Sequence, residues 1–112
     1  MNKVIVIIGP TAVGKTALSI DLAKKLNSEI ISGDSMLIYK GFDIGTAKPS
    51  VAEQAWIKHH LIDVLEPNSS FSVTEFKERA AELVDNINAR GKIPVIAGGT
   101  GLYTKALLEN YN

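Results

Sequence analysis

The sequence predicts a three-layer α/β fold in which helices cover both faces of a parallel sheet. Unbroken apolar runs of strand length, beginning with Val4–Ile8, are typical of strands that are covered on both faces. Apolar residues at helical spacing lie between these runs. Strands that alternate with helices form parallel sheets with right-handed crossovers. We therefore expect one core domain spanning residues 1–112.

The first half of the chain predicts two strands, a helix and a long loop. The strand Val4–Ile8 stops at a glycine–proline pair, and a helical pattern then begins at Gly14 and ends before Asn27. A second short strand is expected over Glu29–Ser32. The stretch Ser35–Ser50 contains two glycines and a proline, which indicates a long loop of functional interest.

The second half predicts two further strands and three helical segments. A short helix is expected over Val51–Lys58 and a third strand over Leu61–Leu65. A fourth strand, Ile93–Ala97, precedes a final helical segment, Leu102–Glu109. The remaining helix lies between the third and fourth strands and has the clearest local signals.

That helix carries signals at both of its ends. Ser72 as the N-cap and Glu75 three residues later make a capping box. Phe71 and Phe76 are spaced for a hydrophobic staple, and Gly91 is placed for the C-terminal cap. One apolar stripe runs between these ends and is formed by Phe76, Ala80, Leu83, Val84 and Ile87.

Composition excludes several classes of protein. With 46% hydrophobic residues, the 112-residue chain can build a real core. Twelve basic and twelve acidic side chains balance, which argues against a protein held to nucleic acid by gross charge alone. Cysteine is absent, so thiolate metal sites are excluded and a reducing cytoplasm is the expected setting. No apolar run is long enough for a membrane span, and no membrane partner is expected.

The strongest motif is a phosphate-binding loop between the first strand and the first helix. It fits G-x-x-x-x-G-K-[ST] and consists of Gly9, Pro10, Thr11, Ala12, Val13, Gly14, Lys15 and Thr16. Backbone amides and the helix N-terminus direct positive charge at a phosphate, Lys15 adds a full charge, and Thr16 offers a hydroxyl to Mg²⁺. The motif therefore predicts a fold of the P-loop NTPase type. The motif leaves ATP hydrolysis, kinase transfer and chemistry with a diphosphate leaving group open.

Two more polar clusters follow predicted strands, at Asp34-Ser35 and at Gly98–Gly101. Ligands of such sheets bind beyond the carboxyl ends of the strands. Asp34 could hold Mg²⁺ through water or act as a general base, and an Asx-turn or a helix cap is the structural alternative. Thr100 could contact a ligand, cap the last helix, or do both.

The histidines and the aromatic residues point less clearly to a site. His59 and His60 are adjacent and would point to opposite faces of a strand, so we interpret them as structural or surface residues rather than metal ligands. Tyr39 and Tyr103 could stack on a base. Trp56 could do the same, but core packing is the preferred interpretation for it.

Together these motifs resemble the tRNA dimethylallyltransferase (tRNA isopentenyltransferase) family. The matching blocks occur in the family's order: the phosphate loop, Asp34–Met36 with Ile38–Pro49, His59–Asp63, and Gly98–Tyr103. The long block that begins at Asp34 is much more specific than the phosphate loop. The resemblance covers the chain from the first strand to about Leu108.

The resemblance implies a reaction and a role for each cluster. Members of the family transfer a dimethylallyl group from dimethylallyl diphosphate to the N6 amine of the adenosine just 3′ of the anticodon in tRNA. The phosphate loop would hold the diphosphate rather than ATP, with Lys15 and a Thr16-bound Mg²⁺ neutralising its charge. Asp34 matches the catalytic aspartate that accepts the amine proton, and Thr100 matches the threonine beside the reacting centre. The tRNA, whose adenosine must flip out of its stack, would contact Asp34, Ser35, Met36, Leu37 and Thr100.

The sequence departs from the family pattern in residue type and in length. Leu37 stands where members usually carry a glutamine that reads the adenine edge, which predicts weaker base discrimination by about 1–3 kcal/mol. Gly33 stands where alanine is frequent. The resemblance further implies a helical tRNA-binding insertion and later core elements that the 112 residues lack. The chain is thus expected to be a truncated amino-terminal portion that keeps the phosphate site and is a poor tRNA-modifying enzyme by itself.

Three alternatives stay open. A small-molecule P-loop kinase would need an arginine-bearing lid, but the only arginines, Arg79 and Arg90, lie on the capped helix. An adenylate prenyltransferase that acts on free nucleotides is closer in family terms, although the string Asp43–Pro49 is more typical of the tRNA enzymes. The alternative from a different class is a non-catalytic nucleotide-binding or interaction module, with ATP as a possible nucleotide.

Overall fold

A computed structural model describes residues 3–8, 12–33, 37–41 and 50–98, with the backbone alone for residues 8 and 12–16. Within these ranges strands and helices alternate, which confirms the α/β class. The elements are β1 Ile5–Ile8, α1 Ala12–Lys25, β2 Ile30–Ser32, α2 Val51–Trp56, β3 His59–His60, α3 Val73–Ala89 and β4 Val95–Gly98.

The described strands form one parallel sheet in the order β1-β4-β2-β3. The inner strand β4 is paired on both sides, since its Ile96 lies opposite Val6 of β1 and Ile31 of β2. The amide of Val95 also donates to the carbonyl of Glu29 at 3.0 Å. The apolar runs Val4–Ile8 and Ile93–Ala97 thus correspond to two neighbouring parallel strands, as predicted.

Two apolar clusters lie on opposite faces of this sheet. Neighbouring residues of a strand point to opposite faces. Ile30 and Val95 accordingly pack with α1, whereas Ile31 and Ile96 pack with α3. The α1 cluster contains Ile20 and Ala23, and the α3 cluster contains Phe76, Ala80, Val84 and Ile87. These contacts confirm the expected three layers.

Both ends of α3 are built as the sequence predicts. The hydroxyl of Ser72 accepts a hydrogen bond from the Glu75 amide at 3.0 Å, and the Glu75 carboxylate accepts one from the Ser72 amide at 3.3 Å. At the other end Gly91 has φ of 79°. The Lys92 amide donates to the Ile87 carbonyl at 3.1 Å, which completes a Schellman motif.

Removing the Ser72 hydroxyl is expected to lower the free energy of unfolding of the chain. The variant Ser72→Ala should lose about 1 kcal/mol, because the Glu75 amide loses its acceptor at a helix that packs against the core. Ser50 caps α2 with the same capping box, but α2 buries no residue. Ser50→Ala should therefore cost less, since α2 can fray without exposing the core. Urea denaturation of both variants tests the difference, and equal losses would contradict it.

The expected third strand is wrong in its position. β3 occupies His59–His60, not Leu61–Leu65. Leu61 and Asp63 have φ of 64° and 54°, which is left-handed backbone that cannot continue a strand. Within the described residues, the expected strand Leu61–Leu65 contributes one isolated parallel bridge, between Leu65 and Tyr39.

The packing role expected for Trp56 is also wrong. α2 ends at Trp56, before the expected Lys58, and the Trp56 side chain is 63% exposed. The ammonium of Lys24 lies 4.6 Å from the centre of its ring. Ile57 leaves the helix in an extended conformation and takes the buried position in the α1 cluster instead. No helix within the described ranges is long and apolar enough to cross a lipid bilayer.

Candidate active site

The carboxyl ends of three neighbouring strands meet at one edge of the sheet. Ile8 of β1 pairs with Gly98 of β4, and Ser32 of β2 pairs with Ala97 of β4. The amide of Gly33 donates to the Ala97 carbonyl at 2.9 Å. The three strands therefore end at the same level. In the sequence, each of the three polar clusters directly follows or overlaps the end of one of these strands.

The order of the strands sets the spacing of these clusters. Neighbouring strands lie about 4.8 Å apart, so the ends of β1 and β2 are separated by about 10 Å. β4 lies between them, and the segment that starts at Gly98 leaves from this middle position. The segments that follow β1 and β2 in the sequence therefore leave the sheet about 10 Å apart, on either side of β4.

The start of α1 has the context that a phosphate loop requires. Three residues separate Ile8, the end of β1, from Ala12, the start of α1, so the motif Gly9–Thr16 joins a strand to a helix. The first turn of α1 carries no acidic side chain, whereas its last turn carries Lys24 and Lys25. No acidic side chain of this turn therefore competes with a bound anion for the positive end of the helix dipole.

The described residues include part of the predicted site. Leu37 is buried at 5% exposure, and its contact with tRNA stays a prediction. Ala12, Val13, Gly14, Lys15 and Thr16 form the start of α1, where the backbone alone is described. Outside the described residues lie Gly9, Pro10, Thr11, Asp34, Ser35, Met36 and Thr100, together with Tyr103 and the final predicted helix.

The sequence interpretation missed the support of the segment after Asp34. The carbonyl of Leu37 accepts a hydrogen bond from the Asp63 amide at 2.9 Å. These two residues are far apart in the chain, and the second of them lies in the segment that we expected to be a strand. The hydrogen bond between these two loops could not be predicted from the sequence, because neither loop carries a local signal for this contact.

A charged cluster lies at the opposite, amino-terminal end of β2. Arg90 contacts both carboxylate oxygens of Glu29, with Nη1 at 2.6 Å and Nη2 at 3.2 Å, and His60 Nε2 lies 2.6 Å from Glu29 Oε1. The hydrogen bond from Arg90 is the main cause that lowers the pKa of Glu29 to about 2, against the opposing effect of burial. Shifted carboxylates often mark active sites. The Glu29 carboxylate connects the start of β2 to β3 and to the C-cap of α3, at the end of the sheet opposite the site edge. We therefore give it a structural role.

His59 has a different partner from His60. Its Nδ1 lies 2.7 Å from the carbonyl oxygen of Ile57, and burial lowers the pKa of its imidazole. The two histidines thus point to different groups, as their alternation on a strand predicts. Within residues 3–8, 12–33, 37–41 and 50–98, the His, Asp and Glu side chains form no group of three that could hold a metal ion.

Comparison with known proteins assigns the chain to a family. A family model described as IPP transferase matches residues 37–112. The chain belongs to the IPP transferase family. This IPP transferase chain is 61% identical over 107 residues to the tRNA dimethylallyltransferase of Staphylococcus epidermidis, and the match covers 96% of the chain and 32% of the relative.

Two solved structures of the same family have the same fold. One is a full-length tRNA isopentenylpyrophosphate transferase of Bacillus halodurans, with a TM-score of 0.90 and 51% identity, covering 100% of this IPP transferase chain and 37% of that protein. The other is a eukaryotic dimethylallyltransferase acting on tRNA, with a TM-score of 0.86 and 40% identity, covering 96% and 27%. The chain spans about a third of the length of the curated relatives it matches.

Proposed function

We propose that the full-length protein transfers a dimethylallyl group from dimethylallyl diphosphate to the N6 amine of the adenosine 3′-adjacent to the anticodon in tRNA. The main support is the arrangement of the strand ends: β1, which precedes the phosphate motif in the sequence, and β2, which precedes Asp34, end at one level of a single sheet. Membership of the IPP transferase family adds the type of reaction. The relatives named tRNA dimethylallyltransferase add the acceptor.

The leaving-group side of the reaction lies at the start of α1. In the proposed reaction the bond between the first prenyl carbon and the diphosphate oxygen breaks, and the diphosphate leaves with the electron pair. Gly9–Thr16 would hold this anion through backbone amides and the positive end of α1. Lys15 would offset the charge that develops as the bond breaks.

The acceptor side lies after β2. The N6 amine would attack the allylic carbon, the new carbon–nitrogen bond would form, and the amine proton would pass to the carboxylate of Asp34. Thr100, which follows β4, would lie beside the reacting centre. Ser35, Met36 and Leu37 would contact the flipped adenosine, because a stacked amine is out of reach of the prenyl carbon.

The chain offers oxygen donors that suit Mg²⁺. Thr16 would hold the ion through its hydroxyl, and the remaining ligands would be diphosphate oxygens and water, which is the ligand type that Mg²⁺ prefers. When bound, the ion supplies positive charge at the diphosphate oxygens. The absence of thiolates in the chain agrees with a hard, oxygen-bound cation.

The surface that grips the anticodon stem is proposed to lie in parts of the enzyme beyond these 112 residues. The chain spans about a third of its relatives' length, and its formal net charge of zero supplies little general attraction to RNA. The 112 residues alone are therefore expected to keep the phosphate site while transferring the prenyl group to tRNA poorly. A tRNA substrate and a chain without cysteine favour the cytoplasm.

Calorimetry with two ligands separates this function from an ATP-dependent one. We expect dimethylallyl diphosphate with Mg²⁺ to bind more tightly than ATP with Mg²⁺. In Lys15→Ala the diphosphate affinity should fall at least about tenfold, because a charge-assisted contact is worth about 1.5–3 kcal/mol. Lys24→Ala is the matched control, since Lys24 lies in the last turn of the same helix and should leave the affinity unchanged.

Tighter binding of ATP would instead favour a kinase or another nucleotide-dependent enzyme. The described arginines give no support to a kinase lid, because Arg90 is engaged with Glu29 and Arg79 lies 5.7 Å from the ring centre of Phe71. Equal loss of affinity in Lys15→Ala and Lys24→Ala would contradict the assignment of the phosphate site.

A further inference from the structure

The segment Leu37–Gly41, which we call the acceptor segment, is bound along its length to the segment Leu61–Leu65, which we call the brace. Four backbone hydrogen bonds connect them. They run from Asp63 N to Leu37 O at 2.9 Å, from Val64 N and Leu65 N to Ile38 O at 2.9 and 3.0 Å, and from Lys40 N to Leu65 O at 2.8 Å. Three consecutive amides of the brace thus point at two consecutive carbonyls of the acceptor segment.

The brace directs these amides through an unusual backbone. Leu61 and Asp63 have φ of 64° and 54°. Positive φ is uncommon outside glycine, and it persists only where the surrounding structure enforces it. Aspartate and asparagine tolerate this conformation better than other residues that carry a Cβ atom, and β-branched residues tolerate it worst. The residue type at position 63 therefore suits its backbone.

Shared core packing holds the brace and the acceptor segment together. Ile38 is 1% exposed and Leu61 is 6% exposed, and both belong to the cluster that also contains Phe71 and Phe76. The ion pair between Lys40 and Glu66 at 3.0 Å lies on the exposed surface of the same contact. The acceptor segment is therefore held in place by packing against the core and by hydrogen bonds to the brace.

The two ends of the catalytic stretch are anchored separately. On one side the Gly33 amide is bonded to the Ala97 carbonyl of β4 at 2.9 Å, and on the other the Leu37 carbonyl is bonded to the Asp63 amide at 2.9 Å. Asp34, Ser35 and Met36 are the three residues between these anchors in the sequence. The described residues that flank this stretch, Gly33 and Leu37, are thus each held by a bond to a different element.

We propose that Asp63 is a positioning residue for the acceptor side of the site, acting through the backbone of Leu37. The proposal rests on the proposed function in giving Asp34 the role of proton acceptor. The left-handed conformation at Asp63 aims its amide at Leu37 and so fixes the distal end of the Asp34–Leu37 stretch. The diphosphate site follows β1, a different strand, and does not depend on this anchor.

Substitutions at position 63 that differ in their tolerance of positive φ test the proposal in the full-length protein. Asp63→Asn keeps this tolerance but changes a buried carboxylate oxygen, so kcat for prenyl transfer should fall less than in a variant that opposes positive φ. Asp63→Val opposes it and should lower kcat by about tenfold to a hundredfold, because misplacement by about 1 Å costs up to a hundredfold. KM for dimethylallyl diphosphate should stay within about twofold in both variants, since the leaving-group site is untouched.

Asn27→Val provides a control with the same backbone strain at another place. Asn27 has φ of 51° and follows α1 at the end opposite to its phosphate-binding start. The variant Asn27→Val should lose as much free energy of unfolding as Asp63→Val while keeping the wild-type kcat. A fall of kcat in Asn27→Val equal to that in Asp63→Val would overturn the proposal, since general destabilisation would then explain both. A fall of kcat in Asp63→Asn equal to that in Asp63→Val would also overturn it.

Amide hydrogen exchange separates failure of this proposal from failure of the proposed function. In Asp63→Val the amides of Lys40, Val64 and Leu65 should exchange faster, and in Asp63→Asn they should exchange at the wild-type rate. This readout needs no prenyl transfer, so it stands even if the wild-type protein proves to catalyse another reaction. Unchanged exchange at these three amides in Asp63→Val would overturn the positioning role directly.

Discussion

Replacing Asp34 with asparagine is expected to lower kcat for prenyl transfer by about 100-fold to 10,000-fold. Asparagine has nearly the same size as aspartate but cannot accept the amine proton, and a positioned general base contributes about this factor. The proposed diphosphate site follows β1 while Asp34 follows β2 in the sequence, and β4 separates the two strands. The affinity for dimethylallyl diphosphate should therefore be unchanged in Asp34→Asn.

Single-turnover transfer of labelled dimethylallyl groups to an anticodon stem-loop, by the full-length protein, measures this effect. Asp21→Asn is the matched control, since Asp21 lies on the surface of α1 in an exposed pair with Lys25. Its rate should equal that of the wild type. If Asp34→Asn kept more than about a tenth of the wild-type rate, the proton would be leaving by another route and Asp34 would not be the general base.

Elements with local signals could be predicted from the sequence almost residue by residue. For α3 the signals at Ser72, Glu75 and Gly91 lie within the helix ends themselves, and the predicted helix agrees with the observed one. The parallel sheet was also predictable, because strands covered on both faces need unbroken apolar runs. The order of the strands follows from contacts between distant segments and could not be predicted in the same way.

The segment after β3 shows where sequence patterns fail. Leu61–Leu65 has the apolar composition of a strand, yet Leu61 and Asp63 adopt left-handed backbone. The cause is a tertiary contact, because the amides of this segment donate hydrogen bonds to carbonyls of the acceptor segment and do not extend the sheet. The packing prediction for Trp56 is wrong for a similar reason. Its neighbour Ile57 fills the core position that the sequence interpretation gave to the tryptophan side chain.

The candidate site likewise has features that the sequence predicts and features that depend on tertiary contacts. The residue types and their order predict a phosphate loop and acceptor residues, because that chemistry requires glycines, a lysine and a carboxylate at set positions. The common level of the three strand ends depends on the register of β4 with both neighbours. The support of Leu37 by Asp63 depends on a contact between two loops. Neither feature leaves a pattern in the sequence.

Replacing Glu29 with glutamine is expected to lower the free energy of unfolding at neutral pH by about 2 kcal/mol. The pKa of Glu29 is lowered from 4.5 to about 2, and one pKa unit corresponds to about 1.4 kcal/mol. Solvent reduces the full value, because the Arg90 side chain is 44% exposed. Asp21→Asn removes an ion pair whose side chains are 61% and 73% exposed, and it should cost less than about 0.5 kcal/mol.

The same cluster predicts how this difference depends on pH. A carboxylate with a lowered pKa in the folded state stabilises the fold above its unfolded pKa, and this contribution disappears as pH falls through the folded pKa. For Glu29 that window runs from 4.5 down to about 2. Urea denaturation of the wild type and Glu29→Gln at a series of pH values should show a constant difference above pH 5 that shrinks steadily below it. A difference that persisted unchanged at about pH 3 would mean that Arg90 and His60 do not hold the ionised form of Glu29, and the three elements they join would need another source of stability.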